Sequence, residues 1–388
     1  MIIPFHKPIF PTDINALLDE SITSGWVTTG PKVIKFESKL CAHFNAKHVI
    51  AVNSCTAALH LALAAKGIGF GDKYIVPTYT FVASVEVGEY LGAKPILVDS
   101  ESGSFNMDLN QVEEILQKDQ QRVIRAIIPV HFAGQALDMK RVNQLAEKYD
   151  LFVLEDAAHA LETFSNEGKV GDTNFAAAFS FYANKNITTG GEGGALATND
   201  DDLAERVRKL SLHGMSRDGW KRFETGGKWS YDVSDLGYKY NMTDISATFG
   251  LEQLQHIYDW HSRRTKIVNK YSQAFSDIDG FVLPKHTSSN IHAWHLYVVR
   301  IIPAMWKITR NDIIAKINEK GIGTSVHYIP IHMHSYYVKK YGYISSDYPI
   351  ANNLSETVIT LPLYPKMTKE QINYVVSVLG HLWSEYKI

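Results

Sequence analysis

Cysteine is nearly absent from this chain of 388 residues: only Cys41 and Cys55 occur. Two cysteines cannot build a disulfide framework, and there is no CxxC or paired His/Cys pattern for a metal. Long apolar runs are missing too. A membrane span needs about 18 consecutive apolar residues, and none is expected here. The start, MIIPFHKPIF, has no basic region followed by an apolar core, so it does not read as a signal peptide. An excess of one charge is also lacking. The net charge is −2, which offers no global attraction to nucleic acid. No DNA-binding module is evident, no GxGxxG follows the first strand, and there is no repeat, low-complexity tract or long linker. These absences leave a chain expected in the reducing cytoplasm, with no nucleic-acid or membrane partner. An apolar content of 45% and an aromatic content of 11% exclude disorder. This length suits one large domain and one smaller one.

What is present centres on Lys185, in FSFYANKNITTGGEGGALAT. A strand-like run, Phe175 to Tyr182, delivers the lysine into a loop of Thr and Gly. Upstream, the apolar run LFVLEDAAHA contains Asp156. A lysine alone in a Gly-rich loop reads most simply as a solvated surface residue. An amine and a buried carboxylate, each at the end of its own strand, suit pyridoxal phosphate (PLP). The amine condenses with the aldehyde, and the carboxylate keeps the pyridine nitrogen protonated so that the ring can accept electrons.

Further segments fit the same chemistry. In NSCTAALHLALAAKGIG, Asn53 to Thr56 are turn and N-cap types, and Ala57 to Lys66 read as a helix. The free N–H groups of its first turn are a seat for a phosphate, to which Thr56 adds a hydroxyl. Phe81, after the strand YIVP, is placed to stack on a ring, although alone it reads as a core aromatic. Ser180 alternates with Phe179 and Phe181, so it can face the phosphate while they pack.

Between Thr12 and about Gln255, short apolar strands alternate with helical stretches. That pattern implies a mostly parallel sheet covered on both faces, an α/β fold with its ligand at the carboxyl ends of the strands. A long helical stretch from Thr243 to about Phe275 leads out of this domain. The expected division is a large domain over 12–255 and a small α+β domain over 256–388, joined by the N-terminal residues 1–11. The histidines of HAWH and HYIPIH (His292, His295, His327 and His332) fit no zinc spacing, and no metal is expected.

Taken together these motifs resemble the DegT/DnrJ/EryC1/StrS family of PLP-dependent nucleotide-sugar aminotransferases. The resemblance runs nearly end to end, through SGWVTTGP, GDKYIVPTYTFVAS, GAKPILVD, IIPVHFAGQALDM, VLEDAAHA, FSFYANKNITTG, LGYKYNMTDISA, IHAWHLYVVR, GIGTSVHYIPIH and LPLYP. It implies the aspartate-aminotransferase-like fold (fold type I) and PLP as cofactor. By position, Lys185 would anchor PLP and Asp156 would pair with its ring nitrogen. Thr56, Ala57 and Ser180 would hold the phosphate, Phe81 would cover the ring, and His159 would lie near the ring hydroxyl. Thr29, His327 and Tyr328 match positions near the sugar. The basic cluster Arg217, Lys221 and Arg222 is a candidate for a substrate diphosphate, though such clusters are usually solvated surface.

In LGYKYN, Tyr238 and Tyr240 face one way in an extended chain, Lys239 and Asn241 the other. In the family this stretch reaches the neighbouring subunit's phosphate, which implies a homodimer with shared active sites. LGYKYN and HAWHLYVVR most resemble enzymes that aminate C4 of a UDP-linked 4-keto sugar, of the 4-amino-4-deoxy-L-arabinose type. The implied reaction moves an amino group from L-glutamate to such a sugar. The alternatives are a 3-keto nucleotide sugar or a cyclitol as acceptor, or, in another class, a non-catalytic PLP-binding regulator. Three departures stand out. KNITTGGEGG is one Gly longer than the usual family loop, Glu162 stands where Gly is usual, and Lys239 replaces an Asn.

Overall fold

In the computed structural model, which describes residues 1–11, 14–215, 232–285 and 290–388, the short apolar runs pair into one large sheet. Its strands are β1 (His48–Val52), β2 (Lys73–Pro77), β3 (Lys94–Val98), β4 (Ile124–Ile127) and β5 (Phe152–Asp156). A small hairpin follows, β6 (Phe164–Ser165) with β7 (Gly168–Lys169), and then β8 (Ala176–Ser180) and β9 (Gly194–Thr198) rejoin the sheet. The order is β1-β9-β8-β5-β4-β2-β3. Strands β3, β2, β4, β5 and β8 run parallel, and only β9 opposes its neighbours β8 and β1. Every residue of β5 and of β9 is buried. Helices cover both faces of such strands, which is why these segments are continuously apolar rather than alternating.

Small side chains set the helix against the sheet. The helix Cys55–Ala65 packs its Ala57, Ala58 and Leu61 with Ala176 and Ala178 of β8 and Leu196 of β9. Its N-cap is Ser54, whose hydroxyl accepts the Ala57 N–H at 3.0 Å, a cap worth about 1 kcal/mol. The helix therefore starts two residues earlier than its sequence suggests. Asn53 stays outside the helix, its N–H bound to Tyr240 O at 2.8 Å. A Cβ at Gly194 would lie 2.4 Å from Cys55 N. Glycine at the start of β9 thus lets the helix N-terminus sit directly on the sheet.

The expected stretch from Thr243 divides into two helices, Asp244–Leu254 and Ile257–Phe275. Beyond them, β10 (Phe281–Val282), β11 (Tyr297–Ile301) and β12 (Val358–Leu361) form an antiparallel sheet in that order. The helices Arg310–Glu319 and Lys369–Tyr386 each begin with a capping box, Thr309 with Asp312 and Thr368 with Gln371. They bury Ile313, Ile317, Val375 and Leu379 against Tyr297, Val299 and Trp306, each aliphatic side chain contributing about 1.5–3 kcal/mol. Ile3 of the N-terminal segment enters the same core and bridges Ile322. Among the described residues no helix is long and apolar enough to cross a membrane.

Candidate active site

Asp156 is the last residue of β5, and Ala178, two residues before the end of β8, is its neighbour in register. After Ser180 the chain leaves the sheet and loops back into β9. The loop is closed from within: Thr188 Oγ1 donates to Phe181 O at 3.0 Å, Thr189 Oγ1 to Glu192 O at 2.6 Å, and the Ala183 N–H to Gly191 O at 2.9 Å. Gly190 (φ 91°) and Gly191 (φ 147°) make the turn, in backbone that other residues rarely adopt. A Cβ on Gly190 would also meet Phe249 at 2.8 Å. The longer Gly run is thus taken up within the turn that closes the loop carrying Lys185.

Lys185 and Asp156 line one cavity of about 460 Å³. Thr56 and Ser180 line it too, as do Phe81, His159, His327 and Tyr328. Ala57 is buried beneath the helix start, its N–H taken by the Ser54 hydroxyl. Thr29, Lys239 and Asn241 do not line this cavity. They form a chain of their own: Lys239 Nζ donates to Asn241 Oδ1 at 2.6 Å, and Asn241 Nδ2 to Thr29 Oγ1 at 2.7 Å. Beside them the rings of Tyr238 and Tyr240 stack at 5.1 Å, matching the expected alternation. Arg217, Lys221 and Arg222 lie outside the described residues.

Sequence reasoning missed Thr80, Ser84 and Glu192, and named His295 only in setting aside a metal. Thr80, Glu192 and His295 line the cavity, and Ser84 stands behind Asp156. The i, i+4 spacing of Thr80 and Ser84 within PTYTFVAS was the available signal for that pair.

Electrostatics distinguish these groups. Lys185 Nζ makes no hydrogen bond or ion pair with any described residue. Burial depresses its pKa to about 8, against the opposing pull of Cys55 and Asp156. Asp156, 5% exposed, accepts the Ser84 hydroxyl on Oδ2 at 2.6 Å and the Ala158 N–H on Oδ1 at 3.1 Å. Burial, and then the charge of Lys185, hold His159 well below the ordinary histidine range. Its Nδ1 accepts the Ala133 N–H at 3.1 Å, so the proton of the neutral ring is on Nε2. His295 lies against it, ring centroids 4.3 Å apart, and burial likewise lowers its pKa. The other histidines of the two His-rich segments are engaged separately. His327 Nδ1 meets Thr360 Oγ1 at 2.9 Å, His332 Nδ1 meets Thr78 Oγ1 at 2.8 Å, and His292 Nδ1 accepts the Trp294 N–H at 2.9 Å. Glu162, the residue in place of the usual Gly, is buried. Lys169 Nζ lies 3.7 Å from its Oε1, and His43 Nε2 lies 2.6 Å away, a contact that becomes an ion pair only when that ring is protonated.

This donor set fits PLP. An amine without a partner faces a cavity whose wall holds an ionisable carboxylate. At the helix start the N–H groups of Cys55 and Thr56 have no intrahelical acceptor, which suits a phosphate. A mostly parallel sheet with such groups at its strand ends is the arrangement of a fold type I PLP enzyme. The chain belongs to the DegT/DnrJ/EryC1/StrS aminotransferase family, whose model matches residues 9–380. It is 42% identical over 378 residues to the spore coat polysaccharide biosynthesis protein SpsC of Bacillus subtilis, covering 97% of this chain and 96% of that one. The Streptococcus pneumoniae protein Spr1654 in its PMP-form superposes with a TM-score of 0.91 at 32% identity, covering 99% of each chain. Spr1654 is also known in a PLP-form. Helicobacter pylori PseC, an aminotransferase involved in the biosynthesis of pseudoaminic acid, superposes with a TM-score of 0.89 at 25% identity, covering 99% of each chain. The protein is a PLP-dependent sugar aminotransferase.

Proposed function

We propose that this enzyme transfers the amino group of L-glutamate to C4 of a UDP-linked 4-keto sugar. The observation that carries the site assignment is the unpartnered amine of Lys185 in one cavity with Asp156. When bound, PLP supplies the aldehyde that takes up the amino group and the electron-poor ring that stabilises charge at the donor carbon. Lys185 would hold the cofactor through its amine, and the free amine would take the proton from the donor's Cα as general base and give it back as general acid. Asp156 keeps the ring nitrogen charged. Thr56 and Ser180, with the N–H groups at the helix start, hold the phosphate beside Ala57. Phe81 would cover the ring and His159 would serve the ring hydroxyl, both from the cavity wall. His327 and Tyr328 contact the sugar, and Thr29, bonded to Asn241 outside this cavity, contacts that of the partner. Residues 12–255 form the cofactor domain, and 256–388 with 1–11 the smaller one. The enzyme works as a homodimer in which Lys239 and Asn241 serve the partner's site.

LGYKYN and HAWHLYVVR support C4 amination, and the polysaccharide and pseudoaminic acid roles of SpsC and PseC support a sugar acceptor. The test is mass spectrometry of products from a panel of 4-keto and 3-keto nucleotide sugars with glutamate. A mass gain on a UDP-4-keto sugar is expected, and clear preference for a 3-keto sugar rejects C4. Borohydride reduction and peptide mapping should place the pyridoxyl group on Lys185; label on another lysine sinks the site.

A further inference from the structure

Ser84 stands behind the carboxylate that lines the cavity, without lining it. It lies near the start of the helix Ala83–Glu89, and its hydroxyl donates to Asp156 Oδ2 at 2.6 Å. Ser84 is fully buried, as is nearly all of Asp156. An ionised carboxylate only accepts, so the single proton of Ser84 is committed to it. The hydroxyl of Thr80, also buried, is 2.8 Å from that of Ser84. Thr80 must therefore be the donor of that second bond. The two hydroxyls form a one-way chain ending on Asp156, in which each bond polarises the next.

We propose that Ser84, backed by Thr80, is a positioning residue that keeps the shared proton on the cofactor's pyridine nitrogen rather than on Asp156. The inference rests on the reading of Asp156 as the partner of that nitrogen. Nitrogen and carboxylate compete for one proton. Burial alone favours the neutral carboxyl, whereas donors to the carboxylate favour its charged form. Without the Ser84 hydroxyl, the Ala158 N–H would be the one donor left on the Asp156 carboxylate among the described residues. The carboxylate then becomes the stronger base and draws the proton off the ring, which as a neutral pyridine is a poor electron sink.

The experiment uses the full chain loaded with PLP labelled with nitrogen-15 in the ring, read by NMR at one fixed pH. Ser84→Ala should move the resonance toward that of a neutral ring. It should also slow the glutamate half-reaction about tenfold to a hundredfold, the scale of one hydrogen bond to a charged group. Ser84→Thr, which keeps the hydroxyl, should restore both. An unmoved resonance in Ser84→Ala, with the protein folded and fully loaded, overturns the proposal even if the rate falls. If Ser84→Ala does not fold, Thr80→Val takes its place: a smaller shift in the same direction supports the chain, and none overturns it. Asp156→Asn separates the two readings. If that change also leaves the resonance unmoved, Asp156 is not the nitrogen's partner. If Asp156→Asn moves it and Ser84→Ala does not, only the relay fails.

Discussion

The imidazole of His159 donates its Nε2–H to the hydroxyl of Tyr328 across 3.1 Å. The direction follows from the other ring nitrogen, which is occupied by the Ala133 N–H. With one lone pair of Tyr328 so used, its own proton is left to be donated elsewhere, and burial keeps that phenol protonated by raising its pKa. Tyr328 is thus a fixed donor lining the cavity. Tyr328→Phe should lower kcat about tenfold to a hundredfold, as for a lost hydrogen bond to developing charge. PLP should stay bound. Stopped-flow measurement of each half-reaction checks this, and an unchanged rate in both would remove Tyr328 from the chemistry.

The depressed pKa of Lys185 sets a pH dependence. Only the neutral amine attacks the aldehyde, so the rate of PLP capture by the cofactor-free protein should rise with pH and level off above about 8. Stability follows the same group. Between about 8 and the ordinary value of 10.5, Lys185 is neutral when folded and still protonated when unfolded. The unfolded state then binds more protons, so stability rises with pH across that window. Lys185→Met should lack this increment. Comparing the Tm of the two cofactor-free proteins at pH values on either side of the window checks the sign.

Asp156→Asn should fold and retain some PLP, since the helix start proposed to hold the phosphate lies on a different element from Asp156. Its glutamate half-reaction should slow by about 10²–10³, the scale of removing one preorganised electrostatic partner. Near wild-type turnover would take Asp156 out of the site.

Lys239 and Asn241 do not line the cavity of their own chain, yet Asn241 holds the Lys239 ammonium at 2.6 Å. The double variant Lys239→Ala/Asn241→Ala should release PLP more readily. If the two subunits share their sites, mixing it with Lys185→Ala should restore activity, because one site of the heterodimer would be intact. Equilibrium dialysis and a mixing assay measure the two effects. If subunit exchange is complete and activity does not return, the segment serves its own subunit.

The order of elements and the placing of Lys185 and Asp156 were legible in the sequence. Parallel strands buried on both faces must be continuously apolar, so HVIAV, KPILVD and LFVLED announce themselves. The residues that follow such strands fall at one edge of the sheet. The start of the helix over that edge was less legible. Asn53 and Ser54 are both good caps, and the carbonyls of Lys239 and Tyr240, from far along the chain, hold Asn53 outside the helix. The partners of the site residues were not legible at all. Ser84 meets Asp156 across 72 positions, Ala133 sets the tautomer of His159 across 26, and His43 and Lys169 come to lie beside the unexpected Glu162. Periodicity reports which face of an element is buried. A hydrogen bond is directional and short-ranged, so its partner is decided only when packing brings two distant segments to within about 3 Å.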